Sequence, residues 1–279
     1  MAIITISREL AALGDETAQE LAKLLRYRLV DKQALETRMK SYGVAAQKIE
    51  KYDERKPSFW ASLSQDRDDY LHYLKASVLA EAEADNAVII GRGGAVILKH
   101  IPGVLSVFLG APVDIRGERV KSYFHCDTKR ARQIIEQSDK DRKGFHRYFF
   151  DIEWRHPSSY HLALNTGYLP PPLCALLIKS LRDQLITEAV EETLRSALKE
   201  RVISHEVKRH ILYDRALLIH FLEVEVSQGE AVLYGAASSP ALAEAALAAA
   251  HEVSGVTAAR SEIQIVREYN VIAGPSGGF

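Results

Sequence analysis

The sequence of 279 residues has few cysteines, no excess of charge of either sign and no long uninterrupted apolar run. Its two cysteines, Cys126 and Cys174, lie far apart and form no Cys-x-x-Cys pair, which argues against a disulfide scaffold and a structural zinc site. Lysine and arginine total 36 against 37 acidic residues, so the net charge of −1 gives no overall attraction to nucleic acid. We therefore expect two reduced thiols in a cytoplasmic protein that has no nucleic-acid partner and no protein-bound metal cluster.

The sequence also lacks a membrane-span pattern and a signal-peptide pattern. The longest charge-free stretch, residues 156–178, contains His161, Asn165 and the triplet Pro170-Pro171-Pro172, which disqualify it as a membrane helix. The first residues form a strand-like apolar run without the charged-then-apolar order of a leader. A composition of 47% hydrophobic and 26% charged residues is that of a soluble globular protein, and the length favours two domains.

Strand and helix signals alternate through the first two thirds of the chain. Short apolar runs typical of strands lie at residues 3–7, 27–30, 87–90 and 104–109. Segments typical of helices lie at residues 15–25, 32–42, 66–84, 95–99 and 112–123. This alternation predicts an α/β fold with a parallel sheet flanked by helices. Ligands bind outside the carboxyl ends of such strands, so the loops after Ile6, Ile90 and Leu109 are the candidate sites.

The pattern changes near Glu188. The remaining elements are a helix over residues 191–212, strands over 222–226 and 231–235, a helix from Ser239-Pro240 to near Gly255, and a strand over 261–266. We therefore predict an α/β domain over residues 1–187 and a small α+β domain over residues 188–268. Residues 269–279 are rich in Gly, Ser and Pro and are predicted to form a flexible tail.

The loop after the first strand is the first candidate for phosphate binding. Its position is that of a P-loop, in which backbone N–H groups and a helix N-terminus hold phosphates. The usual G-x-x-x-x-G-K-[ST] pattern is absent, and Asp15 and Glu16 place negative charge at the helix start. Arg8 is the only cation of the loop, which equally fits a purely structural turn. Its candidate residues are Ser7, Arg8, Glu9, Ala11, Ala12, Gly14, Asp15 and Glu16.

Two further segments carry candidate cations. Gly91-Arg92-Gly93-Gly94 follows an apolar strand, and an arginine between glycines can present its fork to a phosphate or a base edge. The alternative is a tight turn with a solvated arginine. Residues 113–147 carry ten basic and six acidic side chains, which fit solvated helix faces or a pair of helices that closes over phosphates as a lid. The lid candidates are Arg116 and Arg119 on one face, with Asp139, Arg142 and Arg147 as a second group.

Five motifs in this order resemble the bacterial cytidylate kinase-like family. They are Ile4-Thr5-Ile6-Ser7-Arg8-Glu9, Tyr27-Arg28-Leu29-Val30-Asp31-Lys32, Pro57-Ser58-Phe59-Trp60, Gly91-Arg92-Gly93-Gly94-Ala95 and Leu164-Asn165-Thr166-Gly167. The resemblance covers roughly residues 1–185. It implies a P-loop nucleoside-monophosphate kinase fold, ATP with Mg²⁺ as the phosphoryl donor, and CMP or dCMP as the acceptor.

The same resemblance implies roles for particular residues. Residues 7–16 would form the donor phosphate loop. The acceptor would be bound by Asp31, Arg38, Gly91, Arg92, Gly93 and Asp139. The charge of the transferring group would be neutralised by Arg92, Arg116, Arg119, Arg142 and Arg147.

The chain departs from the family pattern in the phosphate loop. The family usually has Ser-Arg-Glu-x-Gly-Ser-Gly-Gly, where this chain has Ala11, Ala12, Leu13 and Gly14 in the second half. The lost glycines add Cβ atoms where backbone approaches phosphate and where φ is expected to be positive. Gly93 also stands where cytidylate kinases carry Asp. Two functions therefore stay open: an ATP-dependent nucleoside-monophosphate kinase, or a weak or inactive nucleotide sensor that acts through the C-terminal domain.

The C-terminal segment resembles a BON domain from residue 198 to about residue 266. The matching residues are the hairpin over 224–235 and the closing Val253-Ser254-Gly255-Val256. The resemblance implies a phospholipid or protein partner, and the apolar edge over residues 217–221 is the predicted contact surface. Apolar residues at the domain junction also allow a homodimer.

Overall fold

The protein is described by a computed structural model that covers residues 1–51 and 64–266. The Pro57-Ser58-Phe59-Trp60 motif and the predicted tail over residues 269–279 lie outside the described residues. The chain divides into two compact units, Met1–Leu198 and Lys199–Phe279. The division falls inside the helix Glu188–Arg209, whose first residue is the predicted start of the second domain.

The first unit is built on a five-stranded parallel sheet. Its strands are β1 (Ile3–Arg8), β2 (Arg28–Val30), β3 (Ala87–Ile90), β4 (Val104–Gly110) and β5 (Leu162–Asn165), in the order β2-β3-β1-β4-β5. Strand β1 pairs with β3 on one side and with β4 on the other. The predicted α/β fold with a parallel sheet is therefore confirmed.

Eight α-helices of the first unit lie in the described residues. They are α1 (Gly14–Leu25), α2 (Lys32–Ser41), α3 (Ala46–Lys51), α4 (Ser64–Ala84), α5 (Gly94–Ile97), α6 (Val113–Phe124), α7 (Thr128–Phe150) and α8 (Pro171–Leu185). Helix α9 (Glu188–Arg209) follows and continues into the second unit. No element was predicted for α3, β5 or α8. The triplet Pro170-Pro171-Pro172 served only as an argument against a membrane helix, although proline fits the first turn of α8, where its missing N–H would have no partner.

One core cluster of the first unit lies between the sheet and the helices α1 and α8. Buried Ile4, Ile6 and Val107 pack with Leu21 of α1 and Ile178 of α8. Burying side chains of this size stabilises the fold by about 1.5–3 kcal/mol each. The core thus fixes the strands, and their carboxyl ends deliver the loops after β1, β3, β4 and β5 to one edge of the sheet.

The second unit contains a three-stranded mixed sheet. Its elements are the end of α9, β6 (His220–Ser227), β7 (Glu230–Ala237), α10 (Pro240–His251) and β8 (Ala258–Ile265), with the strand order β6-β7-β8. Strands β6 and β7 are antiparallel, and β7 and β8 are parallel. Positive φ angles at Gln228 and Gly229 fit the two-residue turn that the hairpin pattern predicts. The predicted order of helix, strand, strand, helix and strand is confirmed.

The start of β6 carries an exposed apolar edge. Leu218 is 65% exposed and Phe221 is 90% exposed. Phe221 has a φ of 53° at an irregularity in the pairing of β6 with β7. The apolar edge expected over residues 217–221 is therefore present, and its role as a contact surface stays a prediction.

Neither a membrane helix nor a metal cluster is found among residues 1–51 and 64–266. Within these ranges, every helix is too short or too polar to cross a bilayer. No group of at least three His, Cys, Asp or Glu side chains is arranged there to hold a metal ion. Cys126 and Cys174 are free thiols.

His210, in a π-helical turn directly after α9, lies between two carboxylates. Its Nδ1 is 2.9 Å from Asp214 Oδ2, and its Nε2 is 2.9 Å from Glu252 Oε2. Hydrogen bonds to Asp214 and then to Glu252 raise the pKa of His210 above its ordinary value, against the smaller effect of burial. A hydrogen bond from Arg215, and to a smaller extent the one from His210, lowers the pKa of Glu252 to about 2.

This arrangement predicts a pH-dependent contribution to stability. Because the folded pKa of His210 is raised, its stabilising effect is complete below about pH 6.5 and is lost as the pH rises through the folded pKa. We expect the melting temperature of the wild type, relative to His210→Gln, to fall as the pH rises above about 6.5. Circular dichroism melts of both full-length proteins measure this difference, and a difference that does not change with pH would contradict the prediction.

Candidate functional site

The loop between β1 and α1 adopts an unusual backbone conformation. Ala11 has a φ of 57° and Leu13 a φ of 52°, the left-handed region that favours glycine. For a residue with a Cβ atom, this conformation raises the free energy of the folded state by roughly 1–2 kcal/mol. The loop therefore keeps positive φ angles at the positions where the family pattern has glycine, despite its Ala and Leu side chains.

Contacts with the predicted lid helices hold this loop. Arg119 of α6 donates from Nη1 to the carbonyl oxygen of Ala11 at 2.9 Å and from Nη2 to that of Thr166 at 2.7 Å. Leu10 and Ala11 also pack against a buried cluster of Val120, Ala131 and Ile135 from α6 and α7. These interactions offset the conformational cost and tie the loops after β1 and β5 to α6.

Arg8 connects the two glycine-containing segments of the sheet edge. A Cβ atom added to Gly14 would lie 2.4 Å from Arg8 Cγ, and one added to Gly91 would lie 2.5 Å from Arg8 Nη1. The Arg8 side chain thus extends from the start of α1 to the turn after β3, and its Nη2 is 3.5 Å from Asp15. At Gly14 the stem of the arginine occupies the space of a side chain, whereas at Gly91 only its terminal nitrogen is close and the φ of 74° is what favours glycine.

The start of α1 has the features of an anion site. Leu13 is the N-cap residue and its side chain makes no capping hydrogen bond, so the first-turn N–H groups are not capped by it. The nearby Glu16 accepts a hydrogen bond from Tyr123 at 2.7 Å. This hydrogen bond, as the larger cause, and burial, as the smaller one, raise the pKa of the Tyr123 phenol above its ordinary value. Thr17 donates from its hydroxyl to the carbonyl oxygen of Leu13 at 2.7 Å.

The turn after β3 holds a buried arginine. Gly91, Arg92 and Gly93 have φ angles of 74°, 51° and 71°. Arg92 is 4% exposed and donates to Glu36 at 2.9 Å, so the alternative of a solvated arginine is wrong. A Cβ atom added to Gly93 would lie 2.5 Å from the Phe150 ring, which explains why aspartate does not fit this position unless Phe150 moves.

Asp31 and Arg38 line one pocket of about 540 Å³ between α2 and α4, a size suited to a small molecule. Arg38 and Arg28 donate to the two carboxylate oxygens of Glu81, at 2.9 Å and 2.8 Å. Burial raises the pKa of Glu81, but hydrogen bonds from Arg28 and Arg38 outweigh it and lower the pKa below the ordinary value. Asp31 accepts from the backbone N–H of Ala34 and caps α2.

The predicted lid arginines lie in different environments. Arg116 is 1% exposed and makes two hydrogen bonds of 3.0 Å to the carboxylate of Asp139. Arg142 is also buried and donates to Ser138 at 2.6 Å, whereas Arg147 is exposed near the end of α7. The structure therefore brings Arg116 and Asp139 together with the phosphate loop, but in an inward-facing ion pair. A substrate contact by Arg116, Arg142 or Arg147 stays a prediction.

Four side chains of the site region were missed by the sequence analysis. Glu36 pairs with Arg92, and Glu81 pairs with Arg38 and with Arg28, across 43 to 56 positions of the chain, so no local spacing could reveal them. The fourth, Arg155, follows α7 in an irregular segment and contacts both Glu9 and Asp139 at 2.6 Å. Its only sequence signal was the proximity of the basic region before it.

Arg119→Ala is expected to destabilise the protein. It removes the donor shared by the carbonyl groups of Ala11 and Thr166, and an unsatisfied buried group costs about 1–3 kcal/mol. Urea denaturation measures the loss in unfolding free energy. Arg132→Gln is the matched control, since Arg132 is an exposed arginine of α7 that pairs with Glu136, and its effect should stay within about 0.5 kcal/mol. Equal stability of the two variants would contradict this role of Arg119.

Comparison with known proteins agrees with this division of the chain. Residues 3–168 match the profile of the cytidylate kinase-like family, and residues 199–267 match that of the BON domain. A cytidylate kinase from Sulfolobus acidocaldarius is 34% identical over 88 residues, which are 31% of this chain and 47% of that protein. The alignment thus spans about half the length of this curated relative.

Solved structures resemble the first unit. An uncharacterised protein from Eubacterium ventriosum superposes with a TM-score of 0.52 at 22% identity, over 66% of this chain and 99% of that chain. A shikimate kinase from Acinetobacter baumannii, solved with shikimate, gives 0.39 at 15% identity, over 66% and 94% of the two chains. A gluconokinase from Sinorhizobium meliloti gives 0.42 at 15% identity, over 66% and 95%. For the protein from Eubacterium ventriosum, at 22% identity, this likeness concerns the fold alone.

Proposed function

Because the chain belongs to the cytidylate kinase-like family, we propose that its first unit transfers a phosphoryl group from ATP to a nucleoside monophosphate, CMP or dCMP. The observation that carries this proposal is the position of Arg8. Its side chain joins the start of α1, the expected donor site, to the turn that holds Arg92, the expected acceptor site. A single cation between the two sites suits a reaction in which negative charge passes from one to the other.

The donor phosphates would be held by the loop after β1. The N–H groups at the start of α1 and the Arg8 guanidinium are the donors that a phosphate chain requires. Mg²⁺ would neutralise phosphate charge, and Asp15 at the helix start offers a carboxylate of the kind that usually joins water and phosphate oxygens around this ion.

The acceptor would bind on the other side of Arg8. The pocket lined by Asp31 and Arg38 would take its nucleoside. Its phosphate would be bound by Arg92, which is buried and donates to Glu36 in the structure. A phosphate oxygen of the acceptor attacks the γ-phosphorus of ATP, and the bond from that phosphorus to the β-phosphate oxygen breaks. ADP leaves with the electron pair of that bond, and the acceptor becomes a nucleoside diphosphate. The protein contributes positioning and charge neutralisation, with no covalent intermediate.

Phosphoryl transfer is tested directly with the full-length protein. Wild type with Mg-ATP and CMP, dCMP, UMP or AMP is expected to convert at least one cytidine nucleotide to its diphosphate, detected by ³¹P NMR. Arg92→Ala is expected to lower kcat by about 10³-fold, because a positioned phosphate donor is lost. Arg132→Gln should keep wild-type activity, and melting curves check that Arg92→Ala is folded. Wild-type turnover in folded Arg92→Ala would remove Arg92 from the site.

The side chains of Ala11 and Leu13, at positions where the family pattern has glycine, motivate the second candidate function, a weak or inactive nucleotide sensor that acts through the C-terminal domain. The double variant Ala11→Gly/Leu13→Gly separates the two functions. For an active kinase, we expect its rate to stay within about tenfold of wild type, since the loop already has the required φ angles. Transfer that appears only in the double variant would support the sensor and contradict the kinase.

A further inference from the structure

A charge cluster beside the phosphate loop contains two carboxylates and two arginines. Glu9 and Asp139 carry the negative charges, and Arg116 and Arg155 carry the positive charges. Glu9 also accepts a hydrogen bond of 3.1 Å from the backbone N–H of Ala111, after β4. The cluster therefore links the loops after β1 and β4 with α6, α7 and the segment that follows α7.

The two arginines of the cluster are held in different ways. Arg116 is almost fully buried and forms a two-pronged hydrogen-bonded pair with Asp139. The Arg155 side chain is 40% exposed, and its buried nitrogen Nη2 lies 2.6 Å from both Glu9 Oε1 and Asp139 Oδ2. These contacts of Arg155 have the distance of ion pairs without the directional geometry of hydrogen bonds. Arg155 is thus the exchangeable cation of the cluster.

A replacement partner for Glu9 is already in place. The Nε–H group of Arg116 is buried and has no hydrogen-bond acceptor among the described residues. It lies 3.5 Å from Glu9 Oε2, so a small movement of the Glu9 carboxylate would complete a hydrogen bond. If Arg155 left the cluster, Glu9 and Asp139 would still share Arg116, and neither carboxylate would be stranded.

We infer that Arg155 binds a phosphate group of the donor and exchanges Glu9 and Asp139 for phosphate oxygens when the donor enters. Glu9 is then a positioning residue and an internal competitor of phosphate for the same guanidinium. The phosphate brings more negative charge than one carboxylate and accepts an arginine fork with two parallel hydrogen bonds. The inference rests on the proposed donor site, but it concerns binding and does not require phosphoryl transfer.

Trp154 provides a built-in reporter of this exchange. The Arg155 guanidinium carbon lies 5.6 Å from the centre of the Trp154 ring, which is 1% exposed and is stacked on His146. Indole emission responds to a charge beside the ring, so departure of Arg155 should change the emission of Trp154. The sequence has two tryptophans, and Trp60→Phe leaves Trp154 as the only one.

The experiment titrates full-length Trp60→Phe protein with inorganic triphosphate and follows tryptophan emission, with calorimetry as a second measure of affinity. In that background, Arg155→Gln is expected to weaken triphosphate binding by about tenfold or more and to abolish the emission change. The control variant Arg132→Gln changes an exposed arginine of α7 outside the cluster and should bind triphosphate as tightly as the parent. Unchanged affinity in folded Arg155→Gln, or no triphosphate binding by the parent, would overturn the inference.

Glu9→Gln gives a result of opposite sign and remains informative if Arg155→Gln does not fold. It removes the competing charge but keeps an oxygen that can accept from Ala111, so triphosphate should bind several-fold more tightly. A cluster with a purely structural role predicts equal or weaker binding in this variant, and that result would overturn the exchange. A parent that binds triphosphate through Arg155 but phosphorylates no nucleotide would contradict the proposed function and leave this inference standing.

Discussion

The ion pairs at the carboxyl end of β1 hold the candidate site together. Glu9, directly after the strand, contacts the N–H of Ala111 and two arginines, while Arg119 ties the next turn of the loop to Thr166. Apolar packing positions the strands, but it ends where the loops leave the sheet. Charged side chains take over there because loop carbonyl and N–H groups need polar partners, which an apolar core cannot supply.

This use of charge explains how the phosphate loop tolerates its unusual residues. Ala11 and Leu13 occupy left-handed conformations that would cost little for glycine. The Ala11 methyl group packs against the helices α6 and α7, and its carbonyl oxygen is bound by Arg119. A glycine loop could adopt the same shape without those contacts. In this chain the shape of the loop and the position of the helices depend on one another.

Local sequence patterns predicted the sheet and most of its helices because their signals span only a few residues. The apolar run that ends at Ile90 is recognised as a strand from its own four side chains. The Gln228-Gly229 turn is recognised from two residues that tolerate the positive φ angles the turn requires. Strand β5 is a half-buried edge strand of four residues, which gives a weak signal. Helix α8 was not predicted because its prolines were weighed only against a membrane helix, although proline is tolerated in the first turn of a helix.

The candidate site was predictable in outline but not in its ion pairs. Glycines and arginines at the strand ends indicated where to look, whereas the partner of each arginine is fixed by folding. Arg116, which by pattern resembled a substrate contact, is buried with Asp139, while Arg155, outside any regular element, reaches the loop. The two hydrogen bonds to Asp139 decide between the two, because a guanidinium held by both of its terminal nitrogens loses its own partner if it turns to a ligand. A partly exposed arginine whose carboxylates have a second cation in reach can turn without leaving a buried charge unpaired.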